Sequence, residues 1–230
     1  MTAHPLDGPV WAALTGPHEH LAERVGAAVR YRPDIAPFAA LACGPRSTDP
    51  AAWADLAKLT GPGQVVVLSG ADAAVPPGWE LVERIPALQM DGTGVRAVAD
   101  AEAVDLGAAD VEDMLDLVAR TRPGPFRPRT RAMGRYLGIR LGGALVAMAG
   151  QRLDPPGWSE ISAVCTDPEH RGRGLAGRLV RAVAVTVRDA GDIPFLHVAA
   201  FNATAIRLYE GLGFTLRQEV VFSALRTPVA

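Results

Sequence analysis

The stretch Val164-Cys165-Thr166-Asp167-Pro168-Glu169-His170-Arg171-Gly172-Arg173-Gly174-Leu175-Ala176 constrains the architecture more tightly than any other in the chain. A short apolar run stops at Asp-Pro, a turn rich in glycine and arginine follows, and an amphipathic helical pattern begins at once. Strand, turn and helix N-terminus in this order build an anion site from backbone. The N–H groups of a helix's first turn lack partners and carry the positive end of the dipole. Gly172 and Gly174 have no side chain to hold a ligand away, and Arg171 and Arg173 add fixed positive charge. The turn fits a phosphate or pyrophosphate; a plain glycine-rich start to a helix is the bland alternative.

The wording of the turn separates the phosphate ligands. A Walker A loop needs Lys and Ser/Thr after its glycines, and none is here. Gly172-x-Gly174-x-x-Gly177 matches the dinucleotide fingerprint, but late in the chain and with no acidic residue on a second strand about 20 residues on. A nucleotide-binding oxidoreductase rests on that coincidence alone. Arg171-x-x-Gly174-x-Ala176 resembles instead the acetyl-CoA pyrophosphate loop of the GNAT N-acetyltransferase superfamily, Gln/Arg-x-x-Gly-x-Gly/Ala. Downstream, Pro194-Phe195-Leu196-His197-Val198 reads as a buried strand, followed by Asn202-x-x-Ala205-x-x-Leu208-Tyr209-Glu210-x-x-Gly213-Phe214. Asn202 and Tyr209, seven apart, share one face of a helix that Gly213-Phe214 closes, and Val220 to Phe222 form a last strand. Two motifs in this order resemble the second half of a GNAT domain. The resemblance runs from about Arg96 to Arg226 and implies an α/β (α+β) fold with a mixed central sheet flanked by helices.

Residues 1–94 are expected to form a separate αβ unit and 95–230 the catalytic domain, with the turn Asp91-Gly92-Thr93-Gly94 between them. In the first unit, Val10 to Ala28 carries helix-spaced apolar residues, interrupted at Gly16-Pro17. Asp49-Pro50 opens a helix through Trp53, Leu56 and Leu59; Val65–Leu68 and Trp79–Ile85 read as strands. By analogy with GNAT chains of this length, this unit is a degenerate half packing on the catalytic one. The second unit opens with a strand Val95–Val98 and a helix capped by Asp110, with Asp113 in the capping-box position. A hairpin across Gly142-Gly143 joins Tyr136–Arg140 to Ala144–Gln151, and Trp158–Thr166 is the central strand. Arg120 to Arg131 holds five arginines and three prolines. In the GNAT layout this loop overhangs the acceptor. Phe126, Arg127 and Arg129 then bind an acidic acceptor, or the loop is simply stiff and solvated.

Composition excludes several classes. A net charge of −2 over 230 residues disfavours general attraction to nucleic acid or membranes. Lys58 is the only lysine among 23 basic residues, a bias that reads as a GC-rich bacterial source. Cys43 and Cys165 make neither a disulfide framework nor a metal cluster, and Cys165 reads as a buried inert thiol. No apolar run approaches the roughly 20 residues of a membrane span and no signal pattern opens the chain, so a cytoplasmic protein, monomer or homodimer, is expected.

Acetyl transfer to an amine needs a base, an aligned carbonyl, donors for a developing oxyanion and a proton for the leaving thiolate. Glu160 is the candidate base, on one face of the central strand with Ser162, Val164 and Thr166 by period-two geometry; the other reading is a structural carboxylate paired with a loop arginine. The resemblance assigns Tyr209 as the acid protonating the CoA sulfur, Asn202 as a hydrogen-bonding partner of the pantetheine arm, and Arg171, Gly172, Arg173, Gly174, Leu175 and Ala176 as the pyrophosphate loop; the bland readings are a Tyr209 that anchors its helix to the core and an Asn202 that is a helix N-cap. Backbone of Val164, Cys165 and Thr166 pairs with pantetheine like an added strand. His197 reads as a satisfied core histidine. The implied reaction is direct transfer from acetyl-CoA to a primary amine of a small molecule or peptide, without a metal; the alternative is a non-catalytic acyl-CoA-binding regulator.

Overall fold

The alternation of short apolar strands with amphipathic helices builds one mixed sheet of eleven strands covered by helices on both faces. The structure, a computed structural model, describes residues 4–70 and 75–229. In chain order the elements are α1 (Pro9–Leu14), β1 (Ala22–Val25), β2 (Ala28–Tyr31), β3 (Phe38–Leu41), α2 (Pro50–Thr60), β4 (Val65–Gly70), β5 (Glu80–Asp91) and β6 (Val104–Asp105). They continue with α3 (Val111–Thr121), β7 (Tyr136–Leu141), β8 (Ala144–Gln151), β9 (Trp158–Thr166), α4 (Leu175–Asp189), β10 (Ile193–Ala199), α5 (Ala203–Leu212) and β11 (Thr215–Arg226). The order across the sheet is β1-β2-β3-β4-β11-β5-β10-β9-β8-β7-β6. No helix among the described residues is long and apolar enough to cross a membrane.

The sheet does not break at the turn expected as a boundary. β5 lies between β10 and β11 and pairs antiparallel with both, so a strand preceding Asp91-Gly92-Thr93-Gly94 sits among the strands that follow it. The turn is glycine-rich for a packing reason: a Cβ on Gly92 would stand 2.5 Å from the Pro194 carbonyl oxygen. β4 pairs with β11 and carries the sheet on into β3, β2 and β1.

Helices α4 and α5 share one core. Leu179, Val180, Val183 and Val187 of α4 pack with Leu196 and Val198 of β10, Tyr209 and Leu212 of α5, and Phe214. Each such Leu or Val stabilises the fold by roughly 1.5–3 kcal/mol on burial. Helix α3 covers the opposite face, where Met114 and Leu117 meet Leu145, Met148, Ala163 and Cys165. On that same face the N-terminal segment packs Leu6, Val10, Tyr31 and Phe38 against Phe195 and Leu153. Trp53 and Leu56 of α2 cover Ala28, Leu41, Leu68 and Leu225.

Three local expectations change. The helix predicted through Ala28 ends at Leu14, and its second half is the hairpin β1–β2, because Pro17 and Gly26 (φ +50°) break the helical run. Val95–Val98 forms no strand; it runs beside α4, where the Val98 N–H donates to the Arg181 carbonyl. Asp110 precedes α3 without capping it through its side chain, and with Asp113 it holds Arg140 instead.

Candidate active site

The turn before α4 is built by Asp167. Its Oδ1 accepts from the Glu169 N–H and its carboxylate pairs with Arg120 at the end of α3, so the strand stops and a short 3-10 turn forms. Gly172 and Gly174 adopt φ of +77° and +73°, and a Cβ on either would meet nothing within 4 Å. Open space therefore fronts the backbone there. Gly174 is the N-cap of α4, and no side chain among the described residues caps the helix's first N–H groups. Arg171, Gly172, Arg173 and Gly174 are exposed, Leu175 is buried as the anchor of the helix, and Arg171 Nε reaches back to the Thr166 carbonyl. Such a turn has the backbone donors, the space and the charge to accept an anion.

Beside it the sheet opens. β9 and β10 pair in parallel only at Ile193–Trp158, Pro194–Ser159 and Phe195–Glu160. Beyond that last pair β10 continues along β5, and β9 continues along β8. The edge of β9 from Ile161 to Thr166 is thus released from its neighbour, and the fork points at the α4 N-terminus. Between Gly150–Ser162 and Met148–Cys165 the ladder with β8 gains one residue on β9, a bulge in which Ala163 takes φ +51°. This overturns the period-two face. Ile161 and Val164 face the α4 core, whereas Ala163 and Cys165 face α3. Glu160 therefore does not share a face with Val164.

Tyr209 on α5 packs in the core it shares with Leu196 and Val198 of β10. It is 8% exposed, its ring meets Phe214 edge-on at 5.8 Å, and its hydroxyl has no hydrogen-bond partner among the described residues. Burial pushes its phenol up to about 12, helped by the neighbouring Cys165. Asn202 caps α5, its Oδ1 accepting from the Ala205 N–H at 3.1 Å. Cys165 is buried and its thiol is pushed up by burial, so it is a poor nucleophile.

Glu160 sits in the setting of the alternative reading, a paired carboxylate. It is fully buried; Arg152 Nε donates to Oε2 at 2.8 Å and an Arg152 terminal nitrogen to Oε1 at 2.6 Å. His197 Nδ1 lies 2.7 Å from Oε1. Burial alone would raise the carboxyl, but the Arg152 charge and hydrogen bonds, joined by His197, outweigh it and bring it to about 2. A carboxylate so held is a weak proton acceptor. Because its folded value lies below the ordinary 4.5, it adds stability above that pH, and the gain is lost as pH falls toward about 2. Arg152→Met should cost about 3–5 kcal/mol in urea unfolding at neutral pH, by stranding a buried charge. The deficit should narrow as the pH falls and the carboxyl protonates; a deficit independent of pH would contradict this.

The arginine-rich loop touches the N-terminal segment. Arg127 donates to the Pro33 carbonyl at 2.5 Å, and Arg129 pairs with Asp34 at 3.0 Å. Phe126 packs edge-on against Tyr136 at 5.5 Å. These bonds tie the loop to the N-terminal segment, with the Asp34 carboxylate favouring the Arg129 contact, and each uses one guanidinium nitrogen. Sequence reasoning missed Arg152, Gln89 and the part taken by His197. The signal was an unexplained Glu160 in an apolar strand; its partners lie just past β8 and on β10 and carry no spacing relative to it.

A family model described as FR47-like protein matches residues 136–223. N-alpha-acetyltransferase RimI of Mycobacterium tuberculosis is 35% identical over 130 residues, covering 50% of this chain and 81% of that protein. Mycothiol acetyltransferase of Thermobispora bispora is 46% identical over 57 residues, 24% of this chain; the match spans only 19% of that protein. Among solved structures, a GNAT-family protein from Novosphingobium aromaticivorans superposes with a TM-score of 0.90 at 41% identity, over 99% of this chain and 100% of that one. A GCN5-related N-acetyltransferase from Kribbella flavida matches with a TM-score of 0.64 at 20% identity, over 99% and 98%, a likeness of fold.

Proposed function

The chain belongs to the GNAT family of acyl-CoA-dependent N-acetyltransferases, and from this we propose that the β9–β10 fork takes acetyl-CoA and that the acetyl group passes directly to a primary amine of a small molecule or peptide. The observation that carries the reading is the end of the β9–β10 ladder at Phe195–Glu160, beside an uncapped helix N-terminus. When bound, acetyl-CoA supplies an activated acetyl thioester. The rest is done by this chain's residues.

The N–H groups from Gly172 to Ala176, with Arg171 and Arg173, hold the pyrophosphate, and the open space at both glycines admits it. Val164, Cys165 and Thr166 offer their free backbone edge to the pantetheine amides, as a sheet edge takes an extra strand. The N–H near Cys165 polarises the thioester oxygen. Asn202, already holding the start of α5 through Oδ1, keeps its amide N–H₂ for the same arm. Tyr209 gives its phenol proton to the departing sulfur as the C–S bond breaks, and the proton that the acceptor nitrogen loses on forming the amide restores the phenol through solvent. Buried Cys165 favours direct transfer over an acetylated enzyme. The relatives' names point to two acceptor classes, a peptide α-amine and a small molecule, and both belong in the assay.

Free thiol release should be followed with acetyl-CoA and a panel of small amines and short peptides with free α-amines. Release that depends on one acceptor supports transfer. Acetyl-CoA binding with no acceptor-dependent release from any of them would point instead to a non-catalytic regulator.

A further inference from the structure

A row of buried and half-buried polar groups crosses the sheet from the end of β8 to β11 at the point where the fork opens. Arg152, just past β8, faces Glu160 on β9, and their backbones pair as well, the Arg152 N–H donating to the Glu160 carbonyl at 3.0 Å. Glu160 is the last residue of β9 paired with β10, and its carboxylate bridges to His197, two residues beyond that pair on β10. His197 stands opposite Gln89 on β5, and Gln89 opposite Gln218 on β11. Gln89 Oε1 accepts from Arg217 at 2.8 Å and Gln218 at 3.3 Å, so its amide nitrogen faces the other way. That nitrogen meets the Leu6 carbonyl at 3.0 Å and His197 Nε2 at 3.1 Å. His197 Nε2 is therefore an acceptor, and Nδ1 carries the proton given to Glu160.

Three aromatic rings enclose the row, one from the N-terminal unit and two from β10 and β11. Phe38 lies under the Arg152 guanidinium at 4.9 Å, and Phe195 and Phe222 flank His197 edge-on at 5.6 and 5.2 Å. Burying an ion pair is not a route to stability, since apolar residues of similar volume serve as well or better. Its place at the fork supplies a different reason for it.

We propose that Glu160 is a positioning residue and not the base: Arg152, Glu160 and His197 form a strut that sets where β9 and β10 part, and Gln89 with the Leu6 carbonyl lets the N-terminal unit hold that strut. The proposal rests on the reading that acetyl-CoA lies in this fork. A two-pronged bond from Arg152 fixes the carboxylate, and the carboxylate holds β10 at the distance from which its ladder with β9 ends. The titratable and charged groups around Glu160 are Arg152, His197, Tyr31, Tyr136 and Asp154, and the first two already occupy the carboxylate oxygens. The N-terminal unit is then part of the catalytic apparatus without touching substrate.

The test uses the full chain and an acceptor found in the thiol assay, with acetyl-CoA affinity measured by calorimetry. Glu160→Gln should leave the acid limb of the kcat/KM profile where it is in the native protein and weaken acetyl-CoA binding about tenfold. Gln89→Met, which cannot touch a substrate and changes the row from its far end, should weaken binding in the same direction, and the double variant should fall short of the sum. An acid limb abolished or displaced in Glu160→Gln, with acetyl-CoA affinity intact, would make Glu160 the base. Native affinity in folded Gln89→Met would uncouple the N-terminal unit from the fork. Should either variant fail to fold, Arg152→Lys keeps the charge but loses the fork-like grip, and unchanged affinity there overturns the proposal equally. Failure of the native protein to bind acetyl-CoA would instead overturn the underlying reading.

Discussion

Gly174→Asp is expected to weaken acetyl-CoA binding by at least about a hundredfold, through lost helix N-terminal hydrogen bonds and like-charge repulsion. At φ +73° any L side chain is strained, by about 1–2 kcal/mol. Nothing lies within 4 Å of the new Cβ, so the carboxylate is accommodated at the N-cap, close to the first N–H groups of α4. There the dipole favours it by about 0.3–1 kcal/mol, which offsets part of the strain and helps the fold survive. The same carboxylate occupies the pyrophosphate's place and repels it. Gly174→Ala separates the two causes: it carries the strain without the charge and should lose far less affinity. Titration calorimetry on both variants decides the matter, and native affinity in Gly174→Asp would remove the turn from the site.

Tyr209→Phe should lower kcat by about 10²–10⁴, the usual span for a lost general acid, while leaving acetyl-CoA affinity within about twofold. The substitution keeps the ring and its edge-on contact with Phe214 and deletes only the oxygen. Burial, aided by Cys165, raises the phenol to about 12, so it stays protonated throughout any ordinary assay range. A basic limb of the native profile near pH 8 or 9 therefore belongs to another group, and it should persist in the variant's residual rate. Native kcat in Tyr209→Phe would show that the sulfur takes its proton elsewhere.

What could be read from the sequence was local. Strand, turn and helix from Trp158 to Asp189 follow from an apolar run, Asp-Pro and two glycines within a few residues, and the structure puts β9 over the expected residues. The hairpin across Gly142-Gly143 and the helix between Asn202 and Gly213 follow from the same kind of signal. Apolar spacing misled between Val10 and Ala28, where a helical period and a short hairpin leave similar traces until Pro17 and Gly26 are weighed. The bulge at Ala163 was hidden because no residue type marks it; it is imposed by the ladder to β8. The polar row was hidden for a related reason. Arg152, Glu160, His197, Gln89 and Gln218 meet only through strand order, and strand order brings β5 between β10 and β11 across the presumed boundary. Arg127 and Arg129 looked free because Pro33 and Asp34, which engage them, lie 94 and 95 residues away.

A crystal structure of the full chain with acetyl-CoA is the most direct measurement. Pantetheine should lie between β9 and β10 against the backbone of Val164 to Thr166, with the pyrophosphate on the N–H groups of Gly172 to Ala176 and the sulfur near the Tyr209 hydroxyl. Acetyl-CoA bound away from the fork, or β9 and β10 closed together beyond Phe195 and Glu160, would contradict it.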